Sequence, residues 1–346
     1  MLTKIGMDLG YSNVTLSNVM SEVYREPSVA LINNEAKSEA DRIVSFGRAA
    51  EDSARGGAGD KGALVRPFAK GMLHDHNLTD SIIRTLVSVV KPADKIRCII
   101  GVPSDCIPKQ ERDLFAMLNA AGVQSSASVV RSVAAFIGAG YSPISSGISI
   151  NIGGFSTECA VMHRGNILFM KRYDVGGETF DRAVREYIKK NGDVNISLGM
   201  AKAIKEKLGA VWKGKENESI DIEGTLALTG NNIRMNVCTE DIVGVFEEPM
   251  QELINCIVET VKHVSKEATA DIMETGIVLT GGGAELFGLE VLLERVLGIK
   301  VTKPESPIDS VAKGLSVVNK IISGKNKLDG KNITSQLAKL YQGSKN

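Results

Sequence analysis

The stretch Gly147-Ile148-Ser149-Ile150-Asn151-Ile152-Gly153-Gly154-Phe155-Ser156-Thr157-Glu158-Cys159-Ala160-Val161-Met162 decides how this chain is read. Ile148, Ile150 and Ile152 alternate with small polar residues, and Cys159 to Met162 resume an apolar run after a polar centre. That pattern is a strand, a tight turn and a returning strand. The turn, Gly153 to Thr157, carries what a phosphate needs: glycines that let backbone N–H groups converge, then hydroxyls. Gly-Gly alone is an ordinary hairpin signal and needs no ligand. The chain, however, contains the plan twice. Ile5-Gly6-Met7-Asp8-Leu9-Gly10-Tyr11-Ser12-Asn13-Val14-Thr15-Leu16 also runs from apolar alternation through a polar residue, an apolar residue and glycine to hydroxyls and a second strand. Asp8 and Asn151 hold the matching polar positions. Two such hairpins so far apart predict a duplicated domain whose turns face each other across a cleft.

At 346 residues the chain is long enough for two domains with proper cores. A hydrophobic share of 43% with 35 glycines fits a soluble α/β protein rich in turns. Forty-one basic against 41 acidic residues leave no net field, so a nucleic-acid partner is not expected. Cys98, Cys106, Cys159, Cys238 and Cys256 are scattered and odd in number, which predicts reduced, buried thiols in a cytoplasm. Neither a signal peptide nor a membrane span is expected.

In chain order, residues 33–63 are polar and rich in Gly and Ala, with Arg42 to Gly47 as one ordered island in a small subdomain. Helical stripes are predicted over Asn77 to Val90 and Pro108 to Ala121, and strands over Ile96 to Val102 and Val129-Val130. Ser132 to Gly140 is a small-residue helix suited to close packing. After the central hairpin, helices are expected at Thr179 to Lys190, Met200 to Leu208 and Leu286 to Leu297. Thr239 is expected to open one long helix ending near Ala268. Strands are expected at Ile220 to Ala227 and Ile233 to Val237, and a last helix at Val311 to Ile322. Ile277-Val278-Leu279-Thr280 empties into Gly281-Gly282-Gly283, a strand end where an α/β fold brings backbone close to a ligand.

Together these motifs resemble the bacterial actins of the MreB type, within the actin, Hsp70 and hexokinase superfamily. The resemblance covers roughly residues 3 to 320. It is carried by Gly6 to Gly10, Val65-Arg66-Pro67 with Gly71, Ile100-Gly101-Val102-Pro103-Ser104, Ile137-Gly138-Ala139-Gly140, Ile152-Gly153-Gly154 with Thr157-Glu158, and above all Ala270 to Gly283. It implies an α/β, actin-like (ribonuclease H-like, duplicated) fold, with two domains each split into a large and a small subdomain around a nucleotide cleft. Domain I would span 1–143, with a small subdomain near 28–73 and 312–346 returning to it; domain II would span 144–311, with a small subdomain near 178–245. The family also implies ATP and Mg²⁺ in the cleft and assembly with copies of itself into protofilaments, with paralogous bacterial actins as further candidate partners.

Carried over by position, Asp8 would hold Mg²⁺ through water, with Asn151 a weak second contributor. Gly10, Tyr11, Ser12 and Asn13 would wrap one side of the phosphates, and Gly153, Gly154, Phe155, Ser156 and Thr157 the other. Lys205 and Glu206 would flank the adenosine, and Gly281, Gly282 and Gly283 would back the adenine. Without the family, Lys205 and Glu206 read as a solvated helix face. The departures matter as much. The family has aspartate where this chain has Asn151, and a water-polarising glutamate where it has Arg131, followed by Ser132 in place of proline. Arginine cannot accept a proton from water, although it can pair with a γ-phosphate. No catalytic residue is therefore assigned; Ser156 is a candidate water contact, and turnover is expected to be slow at most.

Other signals are weaker. His74-Asp75-His76 lacks a third ligand and reads as a surface loop. His163 and His263 have no sequence partners, and no nucleophile elbow is present. Lys91 to Lys95 is too polar and compact for a membrane loop. The C-terminal tail is the remaining candidate for membrane contact: Ile333, Leu337, Leu340 and Tyr341 share a helical face among Lys325, Lys327, Lys331, Lys339 and Lys345, and a solvated, partly disordered tail is its other reading. The expected function is a nucleotide-binding bacterial actin homologue that polymerises into cytoskeletal filaments, for cell shape or intracellular organisation, in the cytoplasm or at the inner face of its membrane. The alternatives are a small-molecule kinase on the same fold, which would need a carboxylate base in the cleft, and an Hsp70-like ATPase module, which would need a substrate-binding domain.

Overall fold

The computed structural model describes residues 2–20, 22–33, 35–36, 42–55, 62–68, 73, 75–90, 95–322 and 330–345. His74, Gly71, most of the Lys91 to Lys95 turn, and Lys325 and Lys327 of the tail lie outside the described residues. The first hairpin is β1 (Leu2–Leu9) and β2 (Asn13–Asn18), extended by β3 (Val23–Pro27) into an antiparallel meander. A small sheet follows, from β4 (Ala30–Ile32), β5 (Ile43–Phe46), α1 (Arg48–Arg55) and β6 (Ala63–Val65), in strand order β5-β4-β6. The expected island of order is β5. Then α2 (His76–Ser88), capped by the Asp75 carboxylate, crosses to β7 (Lys95–Val102), and α3 (Pro108–Ala120) crosses to β8 (Ser125–Val130) and α4 (Arg131–Gly138). Both β7 and β8 run parallel to β1 in the sheet, as helical crossovers require.

The second half repeats that plan. β9 (Gly147–Ile152), β10 (Thr157–His163) and β11 (Asn166–Tyr173) form the second meander. A small subdomain follows: α5 (Gly177–Gly192), β12 (Val194–Asn195), α6 (Leu198–Leu208), β13 (Ser219–Leu226) and β14 (Asn232–Cys238). The chain then returns through α7 (Glu247–Val261) and α8 (Thr269–Thr275) to β15 (Ile277–Thr280), α9 (Leu289–Leu297), β16 (Val301–Thr302) and α10 (Ser310–Ile321). The large sheets read β3-β2-β1-β7-β8 and β11-β10-β9-β15-β16, the same order twice. Every residue of β9 is buried, as a strand covered on both faces must be. In register, Asp8 lies opposite Gly101 as Asn151 lies opposite Thr280, and Asp8 opposite Thr15 as Asn151 opposite Glu158.

Three expectations fail. Thr239 opens only a 3-10 turn over Thr239–Ile242, because Gly244 takes φ +87° and restarts the chain before α7, and a second break precedes α8. The helix expected from Leu286 starts at Leu289, after a 3-10 turn over Gly282–Glu285 and Gly288 at φ +79°. The tail is neither a loose segment nor an open lipid-facing one among its described residues. β17 (Lys331–Asn332) adds to the free edge of β8, and α11 (Leu337–Lys345) follows. Ile333 and Leu337 are buried and Leu340 packs against the same core, so the apolar face proposed for a membrane is spent on this fold. Val130 N–H donates to Thr334 Oγ1 at 2.9 Å, closing the edge. Among the described residues no helix is long and apolar enough to cross a membrane. The cysteines are unpaired; Cys98 and Cys159 are buried, while Cys106, Cys238 and Cys256 are partly exposed.

The two halves join where α4 and α10 cross. A shared core of Ile99, Val129, Phe136, Ala160, Val278 and Leu315 forms around them. The crossing is close because two glycines meet: a Cβ on Gly138 would lie 1.8 Å from Ser310 O, and one on Gly314 1.8 Å from Ala134 O. Glycine to alanine inside a helix ordinarily stabilises by about 1 kcal/mol. Here the overlap reverses the sign, and Gly314→Ala is expected to cost about 2 kcal/mol, read as a lower urea midpoint. A raised midpoint would contradict the close crossing.

Candidate functional site

Each hairpin turn is tight for a local reason. Gly10 N–H donates to Asn13 O at 3.0 Å, and a Cβ on Gly10 would sit 2.6 Å from that oxygen. Gly153 N–H donates to Ser156 O at 2.9 Å. The second turn is then tied to the start of α5, where Gly177 N–H and Glu178 N–H donate to Gly153 O and Gly154 O at 2.9 and 2.6 Å. The turns touch: a Cβ on Gly154 would fall 1.9 Å from Ser12 Oγ. The Tyr11 hydroxyl donates to Glu178, its ring lies 5.4 Å from that of Phe155, and Arg66 covers it from 5.2 Å. Burial and the neighbouring Glu178 carboxylate push the Tyr11 phenol up to about 12.

Beneath the turns lies a buried charge cluster. Arg131, the first residue of α4, donates Nε–H to Asp8 Oδ1 at 2.6 Å and Nη2–H to Leu9 O at 2.8 Å. Its Nη1 lies 3.6 Å from Glu158 Oε1. Glu158 Oε2 accepts the Ser104 N–H at 3.1 Å, and Oε1 has no hydrogen-bond partner. Gly101 makes room for the cluster, since a Cβ there would meet Asp8 Oδ1 at 3.1 Å and Arg131 Cγ at 3.4 Å. Burial works against the Arg131 charge, and Asp8 and Glu158 outweigh it, so the guanidinium stays ionised. Burial pushes Glu158 up to about 7 against the pull of Arg131 and the Ser104 N–H. Asn151 is neutral, and its Oδ1 accepts the Thr280 hydroxyl at 3.3 Å.

The opposite wall comes from α5, α6 and the glycine triplet. Lys205 donates to Gly177 O at 2.9 Å and pairs with Asp181 at 2.7 Å. Burial raises the Asp181 carboxyl and Lys205 opposes that rise. Gly281 sits at φ +80°, and a Cβ there would lie 2.3 Å from Ile152 O; one on Gly283 would strike Ile152 Cγ2 at 2.2 Å. Leu286, Phe287, Leu289 and Ile308 add an apolar side. Hairpins, charge cluster, helices and triplet enclose one cavity of about 580 Å³, within the range of roughly 300–1,000 Å³ usual for cofactor pockets.

A duplicated fold around such a cavity invites comparison with known proteins. The family model of the MreB/Mbl protein matches residues 2–327. The chain belongs to the MreB/Mbl family. It is 27% identical over 320 residues to the cell shape-determining protein MreB of Escherichia coli (strain K12), covering 90% of this chain and 91% of that one. Among solved structures it is similar to MreB5 of Spiroplasma citri bound to ADP, with TM-score 0.86 and 23% identity over 93% of this chain and 97% of that one. The MamK double helical filament is matched with TM-score 0.78 and 19% identity, over 92% and 99%. The fold is actin-like.

Against that family background, Asp8, Gly10, Tyr11, Ser12, Asn13, Arg131, Asn151, Gly153, Gly154, Phe155, Ser156, Lys205, Glu206 and Gly281 to Gly283 all line the one cavity. Thr157 does not. It is fully buried and its hydroxyl donates to Val175 O at 2.7 Å, so it cannot reach a phosphate. The alternation was the available signal: Thr157, Cys159 and Val161 share the face turned into the second core. Arg131 lines the cavity already paired with Asp8 and Leu9 O, partners that the sequence did not announce. The donor set is also a poor one for Mg²⁺: Asp8, the charged member of the two matching hairpin positions, is bonded to a guanidinium, and Asn151 carries no charge. Partners that sequence reasoning missed include Glu178 for Tyr11, Asp181 for Lys205, and Asp271, which holds His163 at 3.0 Å and Arg164 at 2.7 Å. His263 stacks on Phe169 at 3.8 Å.

Glu158 makes a pH prediction. With a folded value of about 7 against an ordinary 4.5, the native state holds its proton more tightly than the unfolded chain across that window. The stability it contributes is complete below 4.5 and is lost as pH rises through about 7. Glu158→Gln should abolish this part of the slope, so its stability relative to the parent should rise with pH. Urea midpoints measured across the window check it; a constant difference would contradict the buried, proton-holding carboxyl.

Proposed function

We propose that this chain binds ATP in the cleft and polymerises with itself into cytoskeletal filaments that serve cell shape or internal organisation, and that it turns ATP over slowly. The observation that carries the reading is the single cavity between two duplicated glycine hairpins, with Arg131 at the corner where a water-orienting group would be needed. In this reading Gly10 to Asn13 and Gly153 to Ser156 hold the phosphates through backbone N–H groups and hydroxyls. Lys205, Glu206 and Gly281 to Gly283 take the adenosine, and the apolar Leu286 and Ile308 flank the ring. MreB5 of Spiroplasma citri, similar in fold, is described bound to ADP, and MamK as a double helical filament.

Slow turnover follows from the chemistry of the corner. A guanidinium has five donors and no acceptor, so Arg131 cannot accept a proton from the attacking water. Asn151 adds no charge to hold the water network. If each change costs about 1.4 kcal/mol of barrier, the two together slow hydrolysis roughly a hundredfold. Arg131→Glu combined with Asn151→Asp is therefore expected to raise phosphate release above the parent rate. A parent rate equal to that of ordinary family members would sink the slow-turnover reading and leave Ser156 or Glu158 as the group handling the water.

The assembly half of the proposal is supported by exposed apolar side chains on the two small subdomains: Val44 and Leu64 on the first, Leu228 and Val243 on the second. They suit longitudinal contact with the next subunit. Sedimentation with ATP should pellet the protein, and Leu228→Asp with Val243→Asp should leave it in the supernatant with nucleotide affinity unchanged. Failure of the parent protein to pellet in every nucleotide and salt condition would refute filament formation. Nucleotide binding has its own check: Gly154→Leu would wedge the turns apart against Ser12 and should weaken ATP at least about tenfold by calorimetry.

A further inference from the structure

The guanidinium of Arg131 occupies the place among oxygen donors that a hard cation would take. Asp8 Oδ1, Leu9 O and Glu158 Oε1 surround it at 2.6, 2.8 and 3.6 Å. We propose that Arg131 replaces the divalent cation of this cleft, so that the chain binds adenine nucleotide metal-free, as the bare polyphosphate anion. The proposal rests on the nucleotide reading above and goes beyond it by naming the ionic form of the ligand.

Five points carry it. The bonds to Asp8 and Leu9 use two of the five N–H groups of Arg131, and the residue lines the cavity, so donors remain for phosphate oxygens. The charge is permanent, and burial holds it in place: Arg131 is 8% exposed. Seating a divalent ion beside Asp8 would require expelling that guanidinium, or adding a double charge to a corner where Arg131 already pairs with Asp8 and Glu158. Both cost more than leaving the pair intact. Arg131 also opens α4, and no side chain caps that helix. A cation at a helix N-terminus is electrostatically misplaced on its own, and Asp8 and Glu158 are the carboxylates that offset the misplacement. Of the other cations in the cavity wall, Lys205 pairs with Asp181, Arg25 with Asp309, Lys202 with Glu206 and Lys215 with Glu218, while Arg66 lies over the Tyr11 ring at the outer turn.

The consequence is specific. A nucleotide whose phosphates are already complexed by Mg²⁺ must shed the metal to meet Arg131, so Mg²⁺ competes with the protein for the ligand. The test is calorimetric titration of the non-hydrolysable AMPPNP into the full chain, once in excess Mg²⁺ and once in EDTA. The expected result is an affinity in EDTA equal to or tighter than that in Mg²⁺. Weakening in EDTA by more than about threefold overturns the inference while leaving nucleotide binding intact. Absence of binding in both conditions removes the nucleotide reading and the inference with it. Arg131→Gln, checked for folding by circular dichroism, should lose about tenfold in EDTA, and Arg131→Lys should recover part of that loss. A folded Arg131→Gln that keeps the parent affinity in EDTA would show that another group meets the phosphates.

Discussion

Where the two halves of this molecule meet at the cleft, any side chain on Gly154 would have to displace Ser12: its hypothetical Cβ would lie 1.9 Å from Ser12 Oγ. The contact of the two turns constrains much else. It brings Tyr11 within reach of Glu178 at the start of α5, and it sets the Tyr11 ring at a tilt against Phe155. Lower down, Ser104 N–H reaches across to Glu158 and Arg172 reaches back to Asp105 at 2.9 Å. Each bridge joins one large sheet to the other, and the α4–α10 crossing forms the floor. The cavity between is therefore walled by rigid elements and by turns with little freedom, the condition under which backbone N–H groups can be pre-aimed at a ligand.

The charge cluster under the turns is the chemically distinctive part. A buried ion pair seldom stabilises a fold relative to apolar packing, but removing one partner strands the other at a cost of about 3–5 kcal/mol. Asp8 and Arg131 are thus mutually dependent, and Glu158, with its proton held to about pH 7, adjusts the total charge. An arrangement of this kind is weak evidence for stability and stronger evidence for use. What it offers is a fixed positive group beside the phosphate turns, held by Asp8 and Glu158.

Much of the fold was legible because period-two alternation ending in glycine is a strong local signal, and its repetition revealed the duplication. The glycines Gly10, Gly281 and Gly283 of the cavity wall were legible for a related reason: the backbone there passes too close to its neighbours for a Cβ. What escaped were side-chain pairs remote in sequence. Arg131 and Asp8 stand 123 residues apart, and Tyr11 and Glu178 stand 167 apart, and nothing local to either member announces the other. Thr157 was misjudged because a hydroxyl beside a phosphate turn looks suitable until strand parity is imposed. The tail was misjudged because an amphipathic helix has the same pattern whether its apolar face meets lipid or, as here, the edge of β8 and the shared core. The break at Gly244 was visible as a residue but not as a positive φ.

The account's central claim is that the phosphates of a bound nucleotide lie between the two turns against Arg131, with no divalent ion between them. The most direct measurement is a crystal structure of the AMPPNP complex grown in Mn²⁺, with anomalous data to locate the metal. The account predicts Arg131 within hydrogen-bonding distance of a phosphate oxygen while still paired with Asp8, and no anomalous peak beside Asp8. A manganese ion held through water by Asp8, with Arg131 swung out of the corner, would contradict it.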